Sequence, residues 1–384
     1  MAPWDTGTGR GRMNPARSLC RFGAGLGLVL VMVAVATASS VPGFVVPSDT
    51  GLAVTLGAEV DYAHKAIVVG DPSGTPPVTP ADRIDPNVPS SPFAGVVSIN
   101  TVTAAGSFIC SGSLISDNKV LTAAHCVDTN NDGAVDVLPG STLVVFNHDN
   151  PASNMAGATL VSISEIAVHG DWTGFLNPSI NDDIAVLTLS EPAPSGVAPY
   201  PMNTGSFDYL QLITVSGYGK SGDGVNGENT SANLYVKRTA QNVASTALLD
   251  DEAPGTTKEI FLIDFDGPTS LTNTLSDGLS LGNDVEGTIF SGDSGGPSFL
   301  WDDLDGDSDV DTGELTLFGV NTFVGDSGPY AAPYFGSLGG GMLVSAYEPF
   351  IQSIMNPLPA AFWGGLALLT GLGTVGTIRR RLAR

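Results

Sequence analysis

The chain is short of positive charge. Its 384 residues include 15 Lys and Arg against 39 Asp and Glu, a formal net charge of −24. Eight of the basic residues lie at the two ends (Arg10, Arg12, Arg17, Arg21, Arg379, Arg380, Arg381 and Arg384), so between Ser39 and Asn356 seven face 38 acids. A surface of that kind repels phosphate backbones and excludes nucleic acid as a partner. It suits calcium, a salty medium or cationic partners, and it serves solubility equally well. Sulfur is scarce too: Cys20, Cys110 and Cys126 are the three cysteines. Cys20 falls in a leader, which leaves one pair and room for one disulfide in an exported chain. No internal repeat is visible. The length allows one large or two ordinary domains with a sizeable core.

The ends carry sorting features. Arginines precede an apolar run from Phe22 to Ala36, and Ala36-Thr37-Ala38 follows. This reads as a secretory signal peptide over 1–38, cleaved before Ser39, with Met13 as a start that gives a leader of ordinary length. The run is short and ends in small residues, which disfavours an anchor helix. Cys20 precedes it, which argues against a lipoprotein site. At the other end Pro357-Leu358-Pro359-Ala360-Ala361 opens an uncharged stretch to Ile378, followed by Arg379-Arg380-Arg381. The 19 residues Ala360–Ile378 are long enough to span a bilayer with the arginines on the cytoplasmic side. The 356–384 tail resembles the bacterial PEP-CTERM sorting signals in a Pro-Leu-Pro-Ala variant. That resemblance implies an exosortase-like processing enzyme and the cell envelope as partners. A permanent tail anchor is the plainer alternative.

Between the ends, Ser39 to Asp82 is rich in Pro, Gly, Thr and Val with little helical periodicity, so 39–83 reads as a propeptide or linker. From Gly95 to Val344, short apolar runs are broken by Gly, Pro, Asn and Asp. Thr142-Leu143-Val144-Val145-Phe146, Ile184 to Leu189 and Leu315 to Val320 are examples, and the pattern predicts an all-β protein. Tyr347 to Met355 reads as a closing helix.

Chemistry is concentrated in three places. Gly292-Asp293-Ser294-Gly295-Gly296-Pro297 is built of turn residues. Its glycines also leave Ser294 reachable and let the backbone aim N–H groups at one point. His125 lies in Leu121-Thr122-Ala123-Ala124-His125-Cys126, after two strand-like runs, a setting that His64, His148 and His169 lack. Asp183, in Asn181-Asp182-Asp183-Ile184-Ala185-Val186-Leu187, stands at the mouth of a buried strand. An aspartate drawn inside there needs a partner, and a histidine N–H would serve. Asp182 is its obvious rival.

The order His125, Asp183, Ser294 and the three local contexts resemble the chymotrypsin/trypsin-like serine peptidases. So do Val97-Ser98-Ile99, Cys110-Ser111-Gly112-Ser113-Leu114-Ile115 and Val215-Ser216-Gly217-Tyr218-Gly219. The resemblance covers roughly Arg83 to Met355. It implies two six-stranded antiparallel barrels with the site between them, in a domain over 84–355. It further implies Ser294 as nucleophile, His125 as general base, Asp183 as its orienting acid, and Gly292 and Ser294 N–H groups as oxyanion donors. No cofactor is implied for catalysis. A Cys110–Cys126 disulfide would pin the His125 loop and contribute about 3 kcal/mol on the chain-entropy model. Cleavage after Arg83 would free the Ile84 amine to pair with Asp293, although Ile84-Asp85-Pro86-Asn87 departs from the family's Ile-Val-Gly-Gly. Thr288 falls at the base of the primary pocket, where trypsin-type enzymes carry aspartate, so a strong Arg/Lys preference is not expected. Thr322-Phe323 and Gly339-Gly340-Gly341 are candidate pocket walls. Phe290 stands where many relatives place a disulfide cysteine.

Two acidic loops invite calcium. Asp128, Asn130, Asp132 and Asp136 place oxygens at alternate positions around Gly133, with Pro139 in the closing place. Asp303, Asp305, Asp307 and Asp311 lead to Glu314 as a closing ligand, with Ser308 in the turn position. Solvated acidic loops are the bland alternative for both. The sequence therefore points to an exported, secreted or cell-surface, serine endopeptidase acting on proteins or peptides. Its rivals are a non-catalytic, calcium-dependent surface binding protein on the same fold, and a calcium-dependent adhesin.

Overall fold

Alternating apolar and polar residues between turn residues give, among the described residues, nineteen strands and one α-helix. A computed structural model describes residues 45–47, 53–55 and 65–356, apart from 104–105, 176–180, 253–256, 279 and 307–309. The leader over 1–38, the tail beyond Asn356 and Asp307 therefore lie outside the described residues. Among the described residues no helix is long and apolar enough to cross a membrane.

β1 (Val45–Pro47) and β2 (Ala53–Thr55) form an antiparallel pair. β3 (Lys65–Val69) comes next. Six strands then close a barrel: β4 (Val96–Thr103), β5 (Gly106–Ser116), β6 (Lys119–Thr122), β7 (Thr142–Phe146), β8 (Thr159–Val168) and β9 (Ala185–Leu189). Their order is β4-β5-β6-β9-β8-β7, every pairing is antiparallel, and β7 returns to β4. Closure into a barrel removes both edges of the sheet, and β6 and β9 are buried along nearly their whole length.

The second half supplies β10 (Gln211–Gly217), β11 (Ser221–Asp223), β12 (Gly227–Thr230), β13 (Arg238–Ala244), β14 (Thr246–Leu249) and β15 (Lys258–Asp264). β16 (Gly287–Phe290), β17 (Pro297–Trp301), β18 (Leu315–Gly325) and β19 (Leu338–Leu343) complete it. Seven of these strands form a half-barrel in the order β13-β10-β17-β18-β19-β15-β14, and a four-stranded sheet runs β12-β11-β3-β16. The expected all-β class, the six-stranded barrel and the closing helix, α1 (Glu348–Met355), are all present. The second barrel takes the form of an open sheet.

The 39–83 segment expected as propeptide or linker is not merely a connector. Within it β3 pairs antiparallel with β16, Val68 opposite Thr288, and parallel with β11. Ile67, Val68 and Val69 are fully buried. The apolar run Ile67-Val68-Val69 carries no helical period because it is a strand buried on both faces.

Candidate active site

The β6–β9 ladder explains how His125 and Asp183 meet. Thr122 pairs with Ala185, so the end of β6 and the start of β9 lie at the same edge of the barrel. Three residues beyond Thr122, the short 3₁₀ turn Ala124–Cys126 carries His125, and two residues before Ala185 lies Asp183. The Asp183 Oδ2 stands 2.7 Å from His125 Nδ1, and its Oδ1 accepts the His125 backbone N–H at 2.8 Å. Asp183 is fully buried, so both oxygens have lost water and both have regained a donor. Asp182 turns the other way: its backbone is in the left-handed region (φ 63°), its carboxylate lies 3.0 Å from His169 Nδ1, and its N–H donates to the Tyr347 hydroxyl at 3.0 Å. The Asp182 carboxylate beside it raises the His169 pKa against the opposing effect of burial. Each of the neighbouring aspartates thus has its own histidine.

The His125 ring is also wedged from the side. Its centroid lies 5.2 Å from that of Phe175, which meets Trp172 edge-on at 4.9 Å. The Trp172 indole donates to Asp128 Oδ2 at 3.0 Å. Asp128, the first residue of the first acidic loop, is therefore a buttress at the end of an aromatic chain leading to His125. Sequence reasoning missed Trp172 and Phe175. Two aromatics spaced three apart shortly before the aspartate, in Trp172-Thr173-Gly174-Phe175, were the available signal. The cysteines form the expected disulfide, Cys110–Cys126, with Cα atoms 6.1 Å apart. It ties the turn holding His125 to β5.

Ser294 sits in the turn from β16 to β17. Its carbonyl accepts the Ser111 N–H at 2.8 Å, and the Ser111 hydroxyl donates to the Gly292 carbonyl at 2.7 Å. Ser111 also accepts the Tyr218 N–H on its hydroxyl and the Thr122 hydroxyl proton on its carbonyl. One residue of β5 thereby fastens the serine turn, the end of β10 and the end of β6. The approach is close enough to require glycine at 295. Its φ is +79°, and a Cβ there would stand 2.0 Å from Thr122 Oγ1. The strand that delivers His125 and the turn that carries Ser294 are in direct contact.

Gly292 has φ +102°, a conformation that L side chains rarely adopt. Within the turn, the N–H groups of Asp293, Gly295 and Gly296 donate to the carbonyls of Phe290, Asn321 and Asp293. Those of Gly292 and Ser294 have no protein acceptor among the described residues. Asp293 is fully buried and accepts N–H bonds from Phe290 at 3.1 Å and Gly219 at 3.4 Å. Burial holds its pKa well above the usual carboxylate range, against those two donors and the charge of Arg238. In this uncut chain Ile84 forms a β-bridge with Arg238, and Asp85 follows, its carboxylate 3.2 Å from the fully buried ammonium of Lys237. Asp85, one of the positions that depart from Ile-Val-Gly-Gly, is thus held by an ion pair. Arg83 is half-buried, and burial lowers its pKa.

Thr288 is fully buried, and its hydroxyl has no partner among the described residues. The candidate pocket walls are buried with it, and Gly340 packs on the Phe323 ring. In the first acidic loop the oxygens of Asp128, Asn130, Asp132 and Asp136 accept N–H or O–H bonds from the loop itself. In the second, Glu314 accepts the N–H groups of Leu304 and Asp311 and the Trp301 indole, which lower its pKa, and Asp303 accepts the Gly306 N–H. Asp303, Asp305 and Glu314 do bring ligand oxygens within 4.8 Å of one another. Asp311 meets this group through its backbone N–H on Glu314.

Residues 85–335 match the family model Trypsin. The chain is similar to Serine protease Hayan of Drosophila melanogaster, 33% identical over 125 residues, 32% of this chain and 18% of that protein. It is similar to a Trypsin of Saccharopolyspora erythraea, 28% identical over 143 residues, 36% and 55% of the two chains. Chymotrypsin-like elastase family member 1 of Macaca fascicularis is 37% identical over 82 residues, 21% and 27%. The matches span about half or less of the length of these curated relatives. Among solved structures, a scabies mite inactivated protease paralogue, S-I1, aligns over 68% of this chain and 94% of its own at 20% identity, with a TM-score of 0.42. On the family model, which spans more than half of its length, the chain belongs to the trypsin family.

Proposed function

We propose that this chain is an exported serine endopeptidase acting on proteins or peptides. The observation that carries the reading is the buried His125–Asp183 pair, held at two points and set against the turn that bears Ser294. A serine hydroxyl is a weak nucleophile until a base takes its proton. In the proposed reaction His125 accepts the Ser294 proton as the oxygen attacks the scissile carbonyl. Asp183 holds the ring with Nδ1 protonated and stabilises the imidazolium. The oxyanion is met by the Gly292 and Ser294 N–H groups, which have no acceptor of their own among the described residues. His125 then passes its proton to the leaving amine, which breaks the peptide bond and leaves an ester on Ser294. Water, deprotonated by the same histidine, releases the acid product. No cofactor is needed.

Thr288 in the pocket base supports a preference for uncharged side chains, since a threonine there offers no charge to Lys or Arg. Activation by cleavage after Arg83 belongs to the same reading: Ile84 is bridged to Arg238, whose charge is among those acting on Asp293. Export by the 1–38 leader, and processing of the 356–384 tail by an exosortase-like membrane enzyme, complete the proposal. A peptide-library digest tests it. Cleavage after uncharged residues, absent from the Ser294→Ala protein, is expected, and the active form should begin at Ile84. A preference for Arg or Lys would refute the role of Thr288, and a different first residue would refute that of Arg83.

A further inference from the structure

Where β15 ends, the chain runs Asp264-Phe265-Asp266. Residues two apart on an extended chain share a face, so both carboxylates point the same way. The following loop returns Asp277 to them, and the ligand oxygens of Asp264, Asp266 and Asp277 lie within 4.8 Å of one another. Glu286, at the end of that loop, accepts the Asp266 N–H at 2.6 Å. Asp264, Asp266 and Glu286 are each more than nine-tenths buried.

Donors within the structure serve part of this group. Asp264 Oδ2 accepts the Leu275 N–H at 2.8 Å. The Asn273 amide donates to Asp266 Oδ2 at 3.2 Å and to Asp277 Oδ1 at 3.0 Å, and the Ser245 hydroxyl donates to Asp277. Among the described residues, Asp266 Oδ1 is buried with no partner, and so is the Asn273 side-chain oxygen. Neither atom can donate to the other, so only a donor or a positive charge from outside could satisfy both. The carboxylates instead act on one another. Asp266 and Asn273 also line a cavity of about 490 Å³, which leaves room for water as additional ligands. Crowded buried carboxylates are costly without a counter-charge, and a set of oxygen donors with open space suits a hard, flexible-coordination cation.

We propose that Asp264, Asp266, Asp277 and the Asn273 side-chain oxygen bind one calcium ion, with Glu286 supporting Asp266 from behind. The site is distinct from both acidic loops that the sequence singled out. It reaches the pocket through Asn242, whose amide donates to the carbonyls of Asp264 at 2.9 Å and Gly287 at 2.8 Å, the latter adjacent to Thr288. Calcium would thus fasten the 264–286 segment beneath β16. Only this coupling to substrate choice rests on the peptidase reading; the ion site does not.

Thermal unfolding and terbium luminescence of the full chain carrying Ser294→Ala test the site without need of activity. Calcium should raise the melting temperature by several degrees over EDTA. Asp266→Asn in the same background should melt higher than its parent in EDTA, because repulsion is relieved. It should also lose one bound terbium per chain and that part of the calcium shift. A merely structural aspartate would give the opposite sign in EDTA. An absent calcium shift in the parent, or an undiminished shift and terbium count in Asp266→Asn, overturns the proposal. Asp277→Asn, subject to the same criteria, decides the matter if Asp266→Asn does not fold. Failure of Ser294 to react in the matured, unsubstituted protein would refute the peptidase reading and leave this result standing.

Discussion

In the first half of the described chain each buried aspartate faces a group suited to it. Asp183 has the His125 ring and N–H, Asp182 has His169, Asp128 has the Trp172 indole and two loop N–H groups, and Asp85 has the Lys237 ammonium. In the second half Glu259, Asp264, Asp266 and Glu286 are as deeply buried, but the charges that act on them most are other carboxylates. Burial alone therefore does not mark a functional acid. A carboxylate with a fixed donor has one protonation state and one geometry, which orienting a base requires. A crowd of carboxylates has neither until a proton or a cation joins it.

Breaking the best-served member of the first group should have the largest effect. Asp183→Asn keeps the shape and removes the charge that fixes the His125 tautomer, so kcat is expected to fall by about four orders of magnitude with little change in KM. Steady-state kinetics on a peptide ester would check it, and a loss below tenfold would place the orienting role elsewhere. Lys237→Met should come next, because it leaves Asp85 buried without its ion-pair partner. About 3–5 kcal/mol of stability should be lost in urea unfolding. Cys110→Ser with Cys126→Ser frees the turn under His125 and should cost roughly 3 kcal/mol, again by urea unfolding.

The smallest effect sharpens the other side of the comparison. Burial, followed by the charges of Asp182, Asp250, Glu252 and Asp251, pushes Glu259 up to about 8. Its folded-state pKa is thus raised above the ordinary carboxylate value of about 4.3. The folded chain holds that proton more tightly than the unfolded one, so the contribution is complete below about pH 4.3 and is lost as pH rises to about 8. Glu259→Gln should flatten this fall in melting temperature and add a few degrees at pH 8.5.

Much of the architecture was legible in the residues. Thr142–Phe146 is a strand as read, and Ile184–Leu189 and Leu315–Val320 fall on β9 and β18 within a few residues. Their alternating or continuous apolar runs are local signals. β3 escaped notice because an apolar run beside Pro-, Gly- and Thr-rich sequence looks like a linker until its partner strand, more than two hundred residues away, is known. The choice between Asp183 and Asp182 rested on motif, whereas its physical cause is the turn at Asp182 that aims the two side chains at different histidines. The aromatic wedge on His125 and the junction made by Ser111 are long-range contacts that no local pattern encodes. The same holds for the Asp264, Asp266, Asp277 group, since a linear search for calcium finds loops and not ligands gathered from a strand end and a distant turn.

The most direct measurement is labelling by a fluorophosphonate probe followed by peptide mass mapping, on the matured protein in calcium. A nucleophilic Ser294 activated by His125 predicts a single adduct on Ser294, absent from Ser294→Ala and nearly absent from His125→Ala. An unlabelled matured protein, or an adduct on another residue, would contradict it.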